Sequence, residues 1–420
     1  MKSSLVLLAY VALAATAQRV ILADIWKPQG TANGTMLDPS NDTLLSKRQF
    51  NSVLTQKPDR SLYWINITMG TPGQAQALQL DTGSRGLVVP STGSSLCSST
   101  LVPCSVLGSY DSSKSSTFDD TDQSTTEGFG DGGSVTGDWF YDTVHIGGQA
   151  VTSQLAVLGT SGSGINEGIL GVGFPSSYPT INHNLAAQGI IASNSYSIWL
   201  DELSAASGTI LFGGLNLAKF VAPLLKMPVV GGTTNSDGSI SYNQPTVELS
   251  RVATLQGTTT TVQTASGYSE NAVLDTGTST TVLQKPLADS IIAAMGAQYY
   301  PSTATSGNII VPCSAATSDL SIDFHFSDPV TGPTINVAIQ ELVLQDLGAV
   351  NGVEMCLFGI YSAAPADNLP TIMGDTFLRS AYVVYDLDTN HIGMAQTVFD
   401  SGSADVVEIG EAGIPVGVQA

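Results

Sequence analysis

Apolar and polar positions alternate with a period of two along most of the chain, in short runs closed by Gly, Pro, Asn or Asp. The runs "LYWINITMG", "AQALQLDTG", "GDWFYDTVHIGG", "SYSIWL", "GTILFGG", "NAVLDTG", "LSIDFHF", "INVAIQELVL" and "SAYVVYDL" are rich in Val, Ile, Tyr and Thr, side chains that suit a half-buried pleated surface. Helical periodicity is confined to residues 181–190 and 285–297 and a short turn near 375–380. The pattern predicts a mainly antiparallel β protein. Residues 229–245, "VVGGTTNSDGSISYNQP", are rich in Gly and Ser and predict a linker or long loop between two halves.

The two halves share a phrase. Residues 80–88 read "LDTGSRGLV" and residues 274–282 read "LDTGTSTTV", and each phrase is followed at a similar distance by two apolar residues and a glycine, Gly171 in "GILGVGF" and Gly374 in "TIMGDTF". A single Asp-Thr-Gly is an ordinary β-turn sequence; two of them with matching sequels mark a duplicated unit. Asp81 and Asp275 are therefore a candidate acid–base pair. Two carboxyls a few ångströms apart cannot both ionise cheaply, so the pair titrates as a unit, one member ionised and able to take a proton from water while the other stays protonated. Gly83 and Gly277 lack a Cβ and let backbone amides come close to the carboxylates. This chemistry requires neither a covalent intermediate nor a cofactor.

Composition narrows the partners. The chain has 420 residues, 42% of them hydrophobic and only 12% charged, enough for an ample core in two or three domains. Asp and Glu number 35 against 14 Lys and Arg, a formal net charge of -21, which repels phosphate backbones and anionic lipid and argues against nucleic acid as a partner. Cys97, Cys104, Cys313 and Cys356 allow three pairings, of which sequence order favours Cys97 with Cys104 and Cys313 with Cys356. No cysteine pair has zinc-finger spacing, and His145, His183, His325 and His391 are scattered, so no metal site is expected.

The N-terminus, "MKSSLVLLAYVALAATAQ", has one Lys, an apolar run too short to span a bilayer and the small-x-small pattern Ala15-Thr16-Ala17, and reads as a signal peptide over 1–17. Lys47-Arg48, the single dibasic pair of the chain, predicts a propeptide over 18–48 removed by a kexin-like processing protease, with a mature start at Gln49. The expected product is a secreted, extracellular monomer without a membrane anchor, since no later segment is long and apolar enough to cross a bilayer and the C-terminal tail, 406–420, carries acidic residues. Asn33, Asn41 and Asn66 sit in glycosylation-type triplets.

These features together resemble the pepsin-like aspartic peptidases, most closely the secreted fungal type, over essentially all of residues 60–400. Besides the two Asp-Thr-Gly phrases, the resemblance rests on "INITMGTPGQ", "YDSSKSSTF", the flap-like "GFGDGGSVTGDWFYDTV", "EGILGVGF", "TILFGG" and "TIMGDTFLRSAYVVYD". It implies a two-lobed β fold, each lobe a β-barrel-like domain (49–222 and 223–405), with the active-site cleft between them. It also implies an endopeptidase acting on protein or peptide substrates at acidic pH; the alternative is a catalytically silent relative that binds peptides or proteins. By the same resemblance, Thr82 and Thr276 tie the two loops together, and Ser84 and Thr278 hydrogen-bond the outer carboxylate oxygens. Phe129, Gly130, Asp131 and Gly132 belong to the flap over the substrate, and Asp131 is a candidate for meeting a Lys just before the cleaved bond. Two positions depart from the family pattern together. Where a flap Tyr often bonds an indole nitrogen, this chain has Phe129 and Val88, which implies a repacked flap.

Overall fold

A computed structural model describes residues 18–27, 29–30, 36–37, 62–98, 104–130, 132–165, 167–175 and 178–415. The N-terminal half is built on β1 (Ile21–Trp26), β2 (Trp64–Met69), β3 (Gln74–Asp81), β4 (Leu87–Pro90), β5 (Asp119–Gly128), β6 (Ser134–Ile146), β7 (Gln149–Ser163), β8 (Ile169–Gly171), the helix α1 (Ile181–Ala187), β9 (Ser195–Trp199) and β10 (Ser207–Phe212). The C-terminal half follows with β11 (Thr246–Gln256), β12 (Glu270–Leu274), β13 (Thr281–Gln284), α2 (Lys285–Met295), β14 (Gly307–Pro312), β15 (Leu320–Phe326), β16 (Thr334–Ala338), β17 (Val353–Ala363), β18 (Thr371–Met373), α3 (Asp375–Leu378), β19 (Ala381–Asp386) and β20 (His391–Gln396).

The duplicated phrases correspond to duplicated topology. In the first half β3 runs antiparallel to β2 and parallel to β8, placing Gly171 beside Asp81; β8 is antiparallel to β4, and β4 is parallel to β7. In the second half β12 runs antiparallel to β11 and parallel to β18, with Leu274 beside Met373; β18 is antiparallel to β13, and β13 is parallel to β17. Parallel pairing buries a strand on both faces, which is why "GIL" and "TIM" are apolar runs rather than alternating ones. Gly171 and Gly374 end these strands against the returning loops, where an added Cβ would lie 2.5 Å from the Arg85 backbone and 2.3 Å from the Thr280 carbonyl.

A 13-stranded sheet joins the halves. β9 lies between β10 and β19, and β19 pairs β20, so strands from the C-terminal half extend the sheet that carries β2 and β3. β1, from the segment assigned to the propeptide, fills the place between β10 and β2, with Ile21, Ile25 and Trp26 buried. Just beyond it, buried Lys27 donates to the Leu203 carbonyl, and burial, then the Arg379 charge, push its ammonium down to about 8.

α1 ends at Ala187 rather than at 190, and Gly189 beyond it has φ +70°. α2 starts with Pro in its first turn and ends at Met295, two residues short of the expected end, where Gly296 takes the left-handed cap conformation that glycine adopts without strain. The predicted linker holds a small exposed hairpin, Thr233–Thr234 against Ile240–Ser241, closed at Asp237-Gly238. No helix among the described residues is long and apolar enough to cross a membrane.

Candidate active site

Asp81 ends β3 and Asp275 follows directly on β12, so the two carboxyls are delivered by equivalent strand ends, one from each half. The turn after each folds back on its own aspartate. The Gly83 and Ser84 amides donate to Asp81 Oδ1 at 2.8 and 3.1 Å, and the Gly277 amide donates to Asp275 Oδ1 at 2.7 Å. The Gly83 amide also reaches across to Asp275 Oδ1 at 3.2 Å. A Cβ on Gly83 would lie 2.6 Å from Asp275 Oδ1, and one on Gly277 would lie 2.7 Å from Asp81 Oδ1, so each glycine is the space in which the opposite carboxyl sits.

Thr82 and Thr276 are fully buried and exchange hydrogen bonds about the approximate twofold axis. The Thr82 hydroxyl donates to the Leu274 carbonyl (2.8 Å) and accepts from the Thr276 amide (3.0 Å); the Thr276 hydroxyl donates to the Leu80 carbonyl (2.8 Å) and accepts from the Thr82 amide (3.2 Å). Four buried backbone groups at the ends of β3 and β12 are thus satisfied only by the other half. The Thr278 hydroxyl donates to the outer oxygen, Asp275 Oδ2, at 2.7 Å. The counterpart hydroxyl on the other loop, Ser84 Oγ, is buried without a hydrogen-bond partner, so of the two expected contacts to the outer carboxylate oxygens only that of Thr278 is formed, although Ser84 still favours the ionised form of Asp81. Burial and the adjacent Asp275 carboxyl nevertheless hold Asp81 well above the usual carboxylate range, outweighing Ser84 and the Gly83 amide.

β5 and β6 form the hairpin that the sequence identifies with the flap, closed by the Phe129 amide donating to Gly133 O at 2.9 Å. Phe129 and Trp139 pack against an apolar cluster of Val88, Leu96, Val135, Val157, Ile165 and Ile169, so both departures from the family pattern fall in one repacked apolar region. Gly130 and Gly132 flank the tip; Asp131 lies outside the described residues, as do Asn33, Asn41, Lys47 and Arg48. Asn66 is on β2, its Oδ1 accepting from the Trp26 indole at 3.1 Å. Cys97 is bonded to Cys104 and Cys313 to Cys356, the pairing that sequence order favours.

Some contributors escaped sequence reading. Gln79, two residues before Asp81 and therefore on the same face of β3, is buried and donates to the Gly277 carbonyl at 3.3 Å, a further tie between the halves. The signal available was a polar residue in the otherwise inward register of "LQLD". Tyr385 stacks on Tyr196 at 4.7 Å beneath the Thr82 loop, placed there by β19 and β9.

Two β halves that meet at a symmetric pair of hydrogen-bonded carboxyls define the architecture of the aspartic peptidases. Comparison with known proteins agrees. A family model described as eukaryotic aspartyl protease matches residues 62–397. The chain is 37% identical over 389 residues to the probable aspartic-type endopeptidase opsB of Aspergillus oryzae, covering 89% of this chain and 76% of that one. It is 34% identical over 359 residues to secreted aspartic protease 8 of Candida albicans, covering 81% and 77%. Among solved structures, the aspartic proteinase from Irpex lacteus superposes with a TM-score of 0.62 over 82% of this chain and 96% of that one, at 21% identity, a likeness of fold. The chain belongs to the eukaryotic aspartyl protease family and is an enzyme of the aspartic-type endopeptidase class.

Proposed function

We propose that the protein is a secreted endopeptidase that hydrolyses peptide bonds at acidic pH through a water molecule activated by Asp81 and Asp275. The observation that carries this reading is the intact symmetric loop pair. Both carboxyls, both glycine amides, both cross-tying threonines and the Thr278 hydroxyl form one hydrogen-bonded set, with Ser84 in the equivalent position of the first loop. A silent relative has no need to keep this set, and the peptide-binding alternative is correspondingly less well supported.

In the proposed reaction the pair holds one proton. The ionised carboxylate takes a proton from the bridging water, whose oxygen attacks the scissile carbonyl carbon, while the protonated carboxyl hydrogen-bonds the carbonyl oxygen as negative charge develops there. Proton return to the amine nitrogen then releases the two fragments. The glycine amides and Thr278 hold the carboxyls in place beforehand, so little reorganisation accompanies the reaction. Phe129 and the flap exclude water from the closed cleft.

Maturation belongs to the same proposal: removal of 1–17 on export, cutting after Arg48 by a kexin-like protease, and a monomeric product. N-terminal sequencing of the secreted form is expected to read from Gln49, and a start far from that residue would refute the boundary. The activity is tested by digestion of denatured casein at acid pH. Asp81→Asn and Asp275→Asn should each abolish nearly all turnover, and the double variant should be scarcely slower than either, because the carboxyls act as one unit. More than a small residual activity in Asp275→Asn would sink the mechanism.

A further inference from the structure

At position 129 of the flap the side chain offers only a ring, which packs on the apolar cluster around Val88, so that pair supplies no hydrogen bond. A polar tether exists lower on the hairpin. Tyr178, in the loop that follows β8, is half-buried; its hydroxyl donates to Glu127 Oε2 at 3.3 Å, on the first flap strand. Its ring packs at 4.8 Å, inclined by 58°, on Trp139 of the second flap strand. Glu127 pairs with Val135 across the hairpin and Trp139 pairs with Gln123, so a single side chain grips both strands over several rungs. The other carboxylate oxygen of Glu127 accepts from the Thr125 hydroxyl at 3.2 Å, which fixes the acceptor. On the body side, Tyr178 stands against the end of the first Asp-Thr-Gly loop: a Cβ on Gly86 would touch its hydroxyl at 3.5 Å.

We propose that Tyr178 and Glu127 form the latch that positions the flap over the carboxyl pair, a role that Phe129 and Val88 cannot fill by hydrogen bonding. Tyr178 is thus a positioning residue. It acts through the hairpin on substrate closure and touches neither the dyad nor the reacting bond. Burial, and next the Glu127 charge, push the Tyr178 hydroxyl up, so it remains a donor throughout the working range of the enzyme. The kinetic consequence rests on the peptidase reading; the mechanical one does not.

The test compares wild type, Tyr178→Phe, Glu127→Ala, Glu127→Gln and the double variant Tyr178→Phe/Glu127→Ala, by peptide cleavage and by amide hydrogen exchange. Tyr178→Phe and Glu127→Ala should each lower kcat/KM by about two- to twelvefold, the range of one net hydrogen bond. The double variant should be no slower than the slower single one. Glu127→Gln, which keeps a carbonyl acceptor, should stay near wild type. Exchange at residues 128–134 should quicken in Tyr178→Phe while exchange in β3 is unchanged, and this readout needs no activity. A wild type that cleaves normally, with Tyr178→Phe unchanged in both rate and flap exchange, overturns the latch, as do single effects that multiply in the double variant. An inactive wild type with quickened flap exchange in Tyr178→Phe would instead overturn the peptidase reading and leave the latch standing.

Discussion

At the residue scale the site is governed by what glycine lacks. Gly83 and Gly277 are not required by a positive φ; each is required because the opposite carboxyl occupies the volume of a side chain. Gly83→Ala should therefore fold yet displace Asp275 by part of an ångström, and misplacement on that scale costs on the order of 100-fold in rate. Measured kcat should fall by about that factor with little change in thermal midpoint, and a rate within a few-fold of wild type would contradict the close approach. Thr82 and Thr276 show the complementary point. Threonine is unremarkable in a turn, but here each hydroxyl serves one donor and one acceptor of the other half.

At the element scale, a buried ion pair and an N-terminal strand support the sheet. α3 is followed by Arg379, fully buried, whose Nε donates to Glu341 Oε2 at 2.6 Å, while Glu341 Oε1 accepts from the Leu203 amide at 3.0 Å. Removing Glu341 leaves the buried guanidinium without its hydrogen-bonded anion, so Glu341→Ala should cost about 3–5 kcal/mol of unfolding free energy, whereas replacing both partners with apolar residues should cost far less. Urea titration of the two variants checks the contrast. β1 supports the sheet in another way, with six ladder positions opposite β10 and four buried apolar side chains, of which Ile21, Ile25 and Trp26 are large. At about 1.5–3 kcal/mol for each side chain fully buried, this is a substantial gross contribution. Cutting after Arg48 should therefore leave the fragment 18–48 bound, co-eluting with the enzyme in gel filtration at neutral pH; immediate loss of the fragment would show that β1 contributes little.

At the scale of the whole molecule, the buried carboxyl between the lobes predicts a stability that depends on pH. The folded state raises the Asp81 pKa above its ordinary value of 3.8, so the protonated form is the one the fold favours. The corresponding stability is fully present below 3.8 and is lost as pH rises from there toward the raised value. The net charge of -21 adds self-repulsion in the same direction. The thermal midpoint should thus fall on going from about pH 4 to about pH 7, and Asp81→Asn should flatten that slope, since only the charge term survives. Equal slopes in wild type and variant would remove Asp81 as a cause.

Period-two patterning, two Asp-Thr-Gly phrases and their apolar-apolar-Gly sequels sufficed to read a β protein with two related halves and a duplicated carboxyl, because strand periodicity and turn chemistry are local properties of the chain. Helix positions were legible for the same reason, and their ends shifted where Gly189 and Gly296 intervened. The partners of Thr82, the reach of Gln79 to the Gly277 carbonyl, the burial of Arg379 against Glu341 and the grip of Tyr178 on Glu127 and Trp139 were not legible. Each joins residues far apart in sequence or held by strands whose order is set by pairing. The strand β1 and its place between β10 and β2 belong with them: the sequence marked residues 18–48 only as a propeptide, and packing of the assembled sheet decides that 21–26 form a strand and which edges it joins.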